Sequence, residues 1–189
     1  MDIGVLALQG DFAEHTAMLR SLGATARLVR LPIHLEGLRA LIIPGGESTT
    51  IGKLAAAFGL IEPLRRFGQT HAIWGTCAGA IFLSQRDRPD QPRLSVMDIQ
   101  VARNAFGRQV NSFEIDLEVP FLIDGDKAPF RAVFIRAPII QAVYGKARQL
   151  LTLPDGRIVA ARQGKLLVTA FHPELTADTR FHQYFLAMT

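Results

Sequence analysis

Residues 72–82 read AIWGTCAGAIF: a short apolar run, then the only cysteine of the chain, Cys77, held between Gly75 and Gly79, then a second apolar run. The first run is the length of a buried strand, and the second opens a helix, so the cysteine falls on the turn between them. Upstream the same alternation repeats. IGVLAL (3–8) predicts a strand, and DFAEHTAMLRSL (11–22) carries apolar residues at helical spacing until Gly23 stops it. TARLV (25–29) and ALIIP (40–44) predict two more strands, and STTIGKLAAAFG (48–59) predicts a helix capped by its own hydroxyl residues and ended by Gly59. Short, continuously apolar strands between helices specify a parallel sheet covered on both faces, because a crossover helix is what joins parallel neighbours.

Downstream of about residue 95 the rhythm changes. VMDIQVA (96–102), NSFEIDLEV (111–119), RAVFIRAP (131–138), LLTLPDGRIVAAR (150–162) and KLLVTAF (165–171) predict strands joined by hairpins, with Asp155-Gly156 as a turn. TADTRFHQYFLAMT (176–189) returns to helical spacing and is expected to close the fold. The expected fold class is α/β, with a mostly parallel central sheet flanked by helices and an antiparallel extension, as one domain over 1–189. SQRDRPDQPR (84–93) is the one polar, proline-bearing loop expected to be mobile.

Composition sets the surroundings. A chain of 189 residues, 49% hydrophobic and 20% charged, supports one sizeable core. Its 21 basic and 17 acidic residues leave a net charge of +4, scattered without a basic run, which argues against a nucleic-acid partner. No segment has the length of a membrane span. One cysteine makes no internal disulfide, and a free thiol is easiest to keep in a reducing compartment, so a soluble cytoplasmic protein is expected.

Cys77 decides the chemistry. A lone cysteine reads first as a small buried hydrophobe. A G-x-C-x-G turn between strand and helix is, however, the setting of a nucleophile elbow, with cysteine in place of serine. Such a thiolate needs a base and an orienting acid. In TAFHPEL (169–175), Pro173 pushes His172 toward an extended backbone, which turns His172 and Glu174 to the same side. Glu174 then fixes the imidazole tautomer while the other ring nitrogen serves Cys77. His15 and His182 lie on helical patterns, and His34 and His71 at element boundaries; all four read as structural or solvated, and no histidine pair has metal-ligand spacing. In LIIPGGEST (41–49), Gly45 and Gly46 permit backbone conformations that turn N–H groups toward an oxyanion, and the Ala78 amide is the natural second donor. LQGDFAEH (8–15) follows the first strand and opens at the same sheet edge as Cys77, so a docking partner pressing Gln9 and Gly10 against the Pro-Gly-Gly turn would gate the site.

Together, PGGEST (44–49), GTCAG (75–79) and FHPEL (171–175) resemble the triad, or class I, glutamine amidotransferases. LALQGDFAEH (6–15), RNAFGRQVNSFE (103–114), VFIRAP (133–138) and RQGKLLVTAFHPELTADTRFH (162–182) are similar to the glutaminase subunits of pyridoxal 5′-phosphate synthases. The resemblance implies hydrolysis of L-glutamine to glutamate and ammonia through a cysteine thioester. The ammonia would pass to a separate synthase subunit, with no cofactor or metal in the glutaminase itself. It implies Cys77 as nucleophile, His172 as base and acid, and Glu174 as its partner. It also places Gly45, Gly46, Glu47, Arg103, Ile135 and Arg136 around the glutamine. A thiol peptidase, a glutaminase of another pathway and a silent binding module are the competing expectations.

Overall fold

A computed structural model of the chain describes residues 1–85, 91–103 and 112–189. Its first half runs β1 (Asp2–Leu6), α1 (Phe12–Ser21), β2 (Thr25–Val29), β3 (Ala40–Ile43), α2 (Ser48–Ala57), α3 (Ile61–Thr70), β4 (Ala72–Thr76) and α4 (Ala78–Leu83). The second half runs β5 (Ile99–Ala102), β6 (Ser112–Leu117), β7 (Phe130–Ile135), β8 (Ile139–Val143), β9 (Arg148–Thr152), β10 (Ile158–Gln163), β11 (Leu166–Thr169) and α5 (Arg180–Leu186).

The main sheet has the order β2-β1-β3-β4-β11-β10-β8-β5, with β9 beside β10. From β2 to β11 it is parallel; β10, β8, β5 and β9 add antiparallel strands, and β6 and β7 form a separate two-stranded ribbon. The α/β class with a mostly parallel sheet and an antiparallel extension is therefore what the chain adopts. β1 lies between β2 and β3, so strand order reverses there and the crevice opens beyond the carboxyl ends of β1 and β3.

Side chains alternate across this sheet. Ile42 and Trp74 join Leu19 of α1, Phe181 and Phe185 of α5, and Phe130 and Phe134 of the ribbon on one face. Leu41, Ile43 and Ile73 join Ile51, Leu64 and Phe82 of α2, α3 and α4 on the other. Each fully buried side chain of this size contributes about 1.5–3 kcal/mol.

Several local expectations need correction. α3 is absent from the sequence reading, because Pro63 and Gly68 break its helical signal; Pro63 is tolerated in the first turn, where its missing N–H has no intrahelical acceptor. β8 is a separate strand after RAVFIRAP, and a short 3₁₀ turn at Pro32–Leu35, not a helix, links β2 to β3. The cap of α2 is the Glu47 carboxylate, which accepts the Thr49 and Thr50 N–H groups, in place of a hydroxyl. Of the loop expected to be mobile, residues 86–90 lie outside the described residues; Gln91 and Arg93 are buried, and Gln91 donates to Ser48 Oγ at 3.2 Å. Among the described residues no helix is long and apolar enough to cross a membrane.

Candidate active site

β4 and β11 are parallel neighbours with Thr76 opposite Thr169, and the Cys77 N–H donates to the Thr169 carbonyl at 2.8 Å. That register brings Cys77, one residue past β4, to the same sheet edge as His172, three residues past β11. The Phe171 ring packs against Phe130, Phe134 and Phe181, and the His172 N–H donates to the Val133 carbonyl at 2.8 Å, which anchors this corner to the ribbon.

Cys77 has φ 47° and ψ −104°, a strained backbone for a residue with a Cβ. The flanking glycines make the turn possible. A Cβ on Gly75 would come within 2.5 Å of Gly79 backbone atoms, and one on Gly79 would overlap the Ile43 carbonyl.

His172 is buried, and its Nδ1–H donates to Glu174 Oε1 at 2.7 Å. The expected pairing holds, but its geometric reason differs: after His172 the chain turns at once into a 3₁₀ segment, Pro173–Leu175, which brings Glu174 back onto the ring. Asp11 Oδ2 lies 3.3 Å from the same nitrogen. Burial works against a charged imidazole, but Asp11, Cys77 and Glu174 outweigh it, and the His172 pKa is pushed up to about 12. Burial raises the Glu174 pKa against the opposing pull of His172, whereas the hydrogen bond to His172 lowers that of Asp11. Asp11, His172 and Glu174 bring ligand-type atoms within 4.8 Å of one another, with both carboxylates facing Nδ1 of His172.

A cavity of about 510 Å³ opens over Cys77 and His172, within the usual size range of small-ligand sites. Gly46, Glu47, Ala78, Arg103, Ile135 and Arg136 line it, together with Gln9 and Gly10 of the loop after β1. Arg103 is fixed against the start of α2, donating to Glu47 Oε1 at 2.8 Å, to Thr49 Oγ1 at 2.9 Å and to Ser48 Oγ. Burial disfavours ionised Glu47, but the Thr50 hydroxyl and amide, the Thr49 amide and Arg103 overcome it and hold its pKa at about 2. Arg136 has φ 43°, a second strained residue on the wall.

The Gly45 N–H turns away from the cavity and donates to Thr76 Oγ1 at 3.0 Å. Its lack of a side chain serves close approach: a Cβ there would come within 2.5 Å of His172 Cε1. Gly46 adopts φ 148°, the conformation expected of the turn. Gln9 Oε1 accepts the Glu47 N–H at 2.6 Å, and the Asp11 N–H donates to the Gly45 carbonyl at 3.2 Å, so the first loop is hydrogen-bonded to the Pro-Gly-Gly turn.

Sequence reasoning missed the parts played here by Asp11 and His15. Asp11 occupies the N-cap position of α1 yet makes no side-chain cap bond, and nothing in the sequence distinguishes it from an ordinary capping aspartate. His15 and His182 are fully buried, the structural alternative of the reading, but His15 Nε2 lies 3.4 Å from Glu174 Oε2, a contact its helical spacing does not announce. His34, by contrast, accepts the Arg30 N–H, and His71 stacks on Phe67, both remote from the cavity wall.

The family model described as the SNO glutamine amidotransferase family matches residues 5–189. Pyridoxal 5′-phosphate synthase subunit PdxT of Roseiflexus sp. (strain RS-1) is 58% identical over the whole of both chains, and that of Thermus thermophilus is 54% identical over 98% of this chain and 96% of its own. A crystal structure of a glutamine amidotransferase superposes with a TM-score of 0.90 at 52% identity, covering 98% and 97% of the two chains. With a match of this extent, the chain belongs to the SNO glutamine amidotransferase family.

Proposed function

We propose that the chain hydrolyses L-glutamine and hands the ammonia to the synthase subunit of a pyridoxal 5′-phosphate synthase. The observation that carries this reading is that Cys77 and His172 line one cavity with Glu174 hydrogen-bonded to His172 from its buried side, in a chain that matches glutaminase subunits along its full length. A reduced cysteine at the centre of the chemistry also suits a cytoplasmic setting.

In this mechanism the Cys77 thiolate attacks the side-chain amide carbon of glutamine, and the carbonyl electrons move onto oxygen. The Gly46 and Ala78 amides stabilise that oxyanion. Collapse of the intermediate breaks the C–N bond as His172 gives its proton to the leaving nitrogen, releasing ammonia and leaving a glutamyl thioester. A water then attacks the thioester with His172 as base, the C–S bond breaks, and glutamate leaves. Glu174 holds the imidazole in orientation throughout. Arg103 and Arg136, with Glu47 and Ile135, are assigned to the amino-acid end of the substrate, where a guanidinium grips an α-carboxylate in bidentate fashion. Gly45 supports the turn from behind.

Gating is assigned to Gln9 and Gly10. A Cβ on Gly10 would overlap the Gly45 carbonyl, so motion of the first loop is transmitted to the turn that carries Gly46. The test is ammonia release from glutamine by the chain alone and with its synthase subunit, together with Cys77→Ala. Activity retained by Cys77→Ala would overturn the mechanism. Cleavage of peptides in place of glutamine would favour a thiol peptidase.

A further inference from the structure

We propose that His15, on α1, is a positioning residue for the triad carboxylate: its Nε2–H holds the outer oxygen of Glu174 and, through Thr76, ties that carboxylate to the Pro-Gly-Gly turn. The inference rests on the assignment of Cys77, His172 and Glu174 made above.

Glu174 has two buried oxygens with different surroundings. Oε1 takes the His172 proton; Oε2 is buried without a hydrogen-bond partner of good geometry. The donor-type group facing Oε2 is His15 Nε2, 3.4 Å away, and the same nitrogen lies 3.2 Å from Thr76 Oγ1. These are the distances of one N–H shared between two acceptors. Thr76 Oγ1 has two lone pairs, and its other donor is the Gly45 N–H at 3.0 Å.

The tautomer follows from the far side of the ring. His15 Nδ1 lies 3.0 Å from His182 Nε2, and His182 Nδ1 is buried without a partner. If His182 carried its proton on Nδ1, that N–H would be stranded in the core, and His15 would have to donate through Nδ1. His15 Nε2 would then present a lone pair to the Glu174 carboxylate, leaving a buried anion unpaired on one side, a costly arrangement. The opposite assignment strands the His182 Nδ1 lone pair and leaves the Thr76 hydroxyl hydrogen without an acceptor among these groups, both cheaper than an unpaired buried carboxylate oxygen. His182 Nε2–H donates to His15 Nδ1, and His15 Nε2–H points at Glu174 and Thr76. Trp74 meets the edges of both imidazoles, with ring centroids 5.6 and 4.9 Å away, and holds their planes. Burial also keeps both rings neutral, lowering His182 to about 4 and His15 well below its ordinary range, so the chain passes no second charge to Glu174. A neutral donor on the outer oxygen orients the carboxylate without competing for the proton of His172.

The experiment is a double-mutant cycle on glutamine hydrolysis with the synthase subunit present. His15→Leu is expected to lower kcat by roughly 10- to 100-fold, the size of loss seen when an outer partner that orients a metal-binding side chain is removed, with KM within about twofold. His15→Gln, which retains an N–H, should recover part of the loss. In a Glu174→Gln background His15→Leu should cost little more, because the charge to be held is gone. Equal losses in both backgrounds, or full activity of His15→Leu, would overturn the proposal. Should His15→Leu fail to fold, ¹⁵N histidine chemical shifts of the wild type decide: a neutral Nε2–H tautomer is expected at His15, and an Nδ1–H tautomer overturns it. Cys77→Ala is measured alongside: if it still releases ammonia the triad assignment falls, whereas an inactive Cys77→Ala with an additive cycle removes only the role of His15.

Discussion

Asp11 and Glu174 place carboxylate oxygens on the same atom, Nδ1 of His172, at 3.3 and 2.7 Å. One comes from the half-exposed loop after β1 and the other from the buried corner after β11, so the charge on the imidazole depends on both a partly exposed and a buried acid.

Asp11→Asn tests the partly exposed one. Against burial, the hydrogen bond to Asp11 is the largest single influence raising the His172 pKa, so its loss moves that pKa down and the alkaline limit of the protonated imidazole with it. Because the Asp11 side chain is 36% exposed, the effect at neutral pH should stay within about 1 kcal/mol, a factor of roughly five. The pH profile of Cys77 alkylation by a glutamine-mimicking electrophile measures it. An unmoved alkaline limb would show that Asp11 does not act on the imidazole.

Cys77 holds its position at a cost in backbone strain. Cys77→Ala should abolish ammonia release without relieving φ 47°, whereas Cys77→Gly should abolish it and be the more stable of the two, by about 1 kcal/mol. Urea unfolding of both variants compares them directly. Equal or reversed stabilities would mean that the elbow is unstrained.

Acid should loosen the fold before most carboxylates titrate. His182 has its pKa lowered from 6.5 to about 4, so between those values the unfolded chain binds a proton that the folded chain does not, and stability falls as pH drops through this window. The difference is worth at most about 3 kcal/mol, and His15, lowered in the same direction, adds to it. Denaturant midpoints at about pH 7 and about pH 4.5, which span most of this window, should therefore differ more for the wild type than for His182→Gln. Parallel pH dependence in the two proteins would rule out the buried imidazoles as its source.

Gly46→Val probes the gate. A Cβ on Gly46 would overlap Gln9 Oε1, and φ 148° is closed to valine, so the turn and the first loop cannot keep their present fit. The substitution should remove the rise in turnover brought by the synthase subunit while changing its association by less. If association is lost in step with turnover, Gly46 serves docking and not the switch.

Much of this was readable in the chain itself. The G-x-C-x-G turn, the His-Pro-Glu segment and the Pro-Gly-Gly loop are each specified within a few residues, because glycine and proline restrict or release the backbone locally. Apolar runs separated by helical spacing likewise determined the α/β class. The weak points were also local: Pro63 and Gly68 hid α3, and apolar continuity hid β8.

The meeting of these pieces belongs to the tertiary structure. No local pattern says that β11 will enter the sheet beside β4 in parallel, with Thr169 opposite Thr76, yet that register alone brings Cys77 and His172 to one edge. Nor does the spacing of α1 reveal that its His15 reaches Glu174, or that Asp11 abandons its cap for His172. Sequence sets which conformations each short stretch can adopt at low cost. Which stretches become neighbours is decided by the collective burial of two core faces, a sum over contacts between residues far apart in the chain.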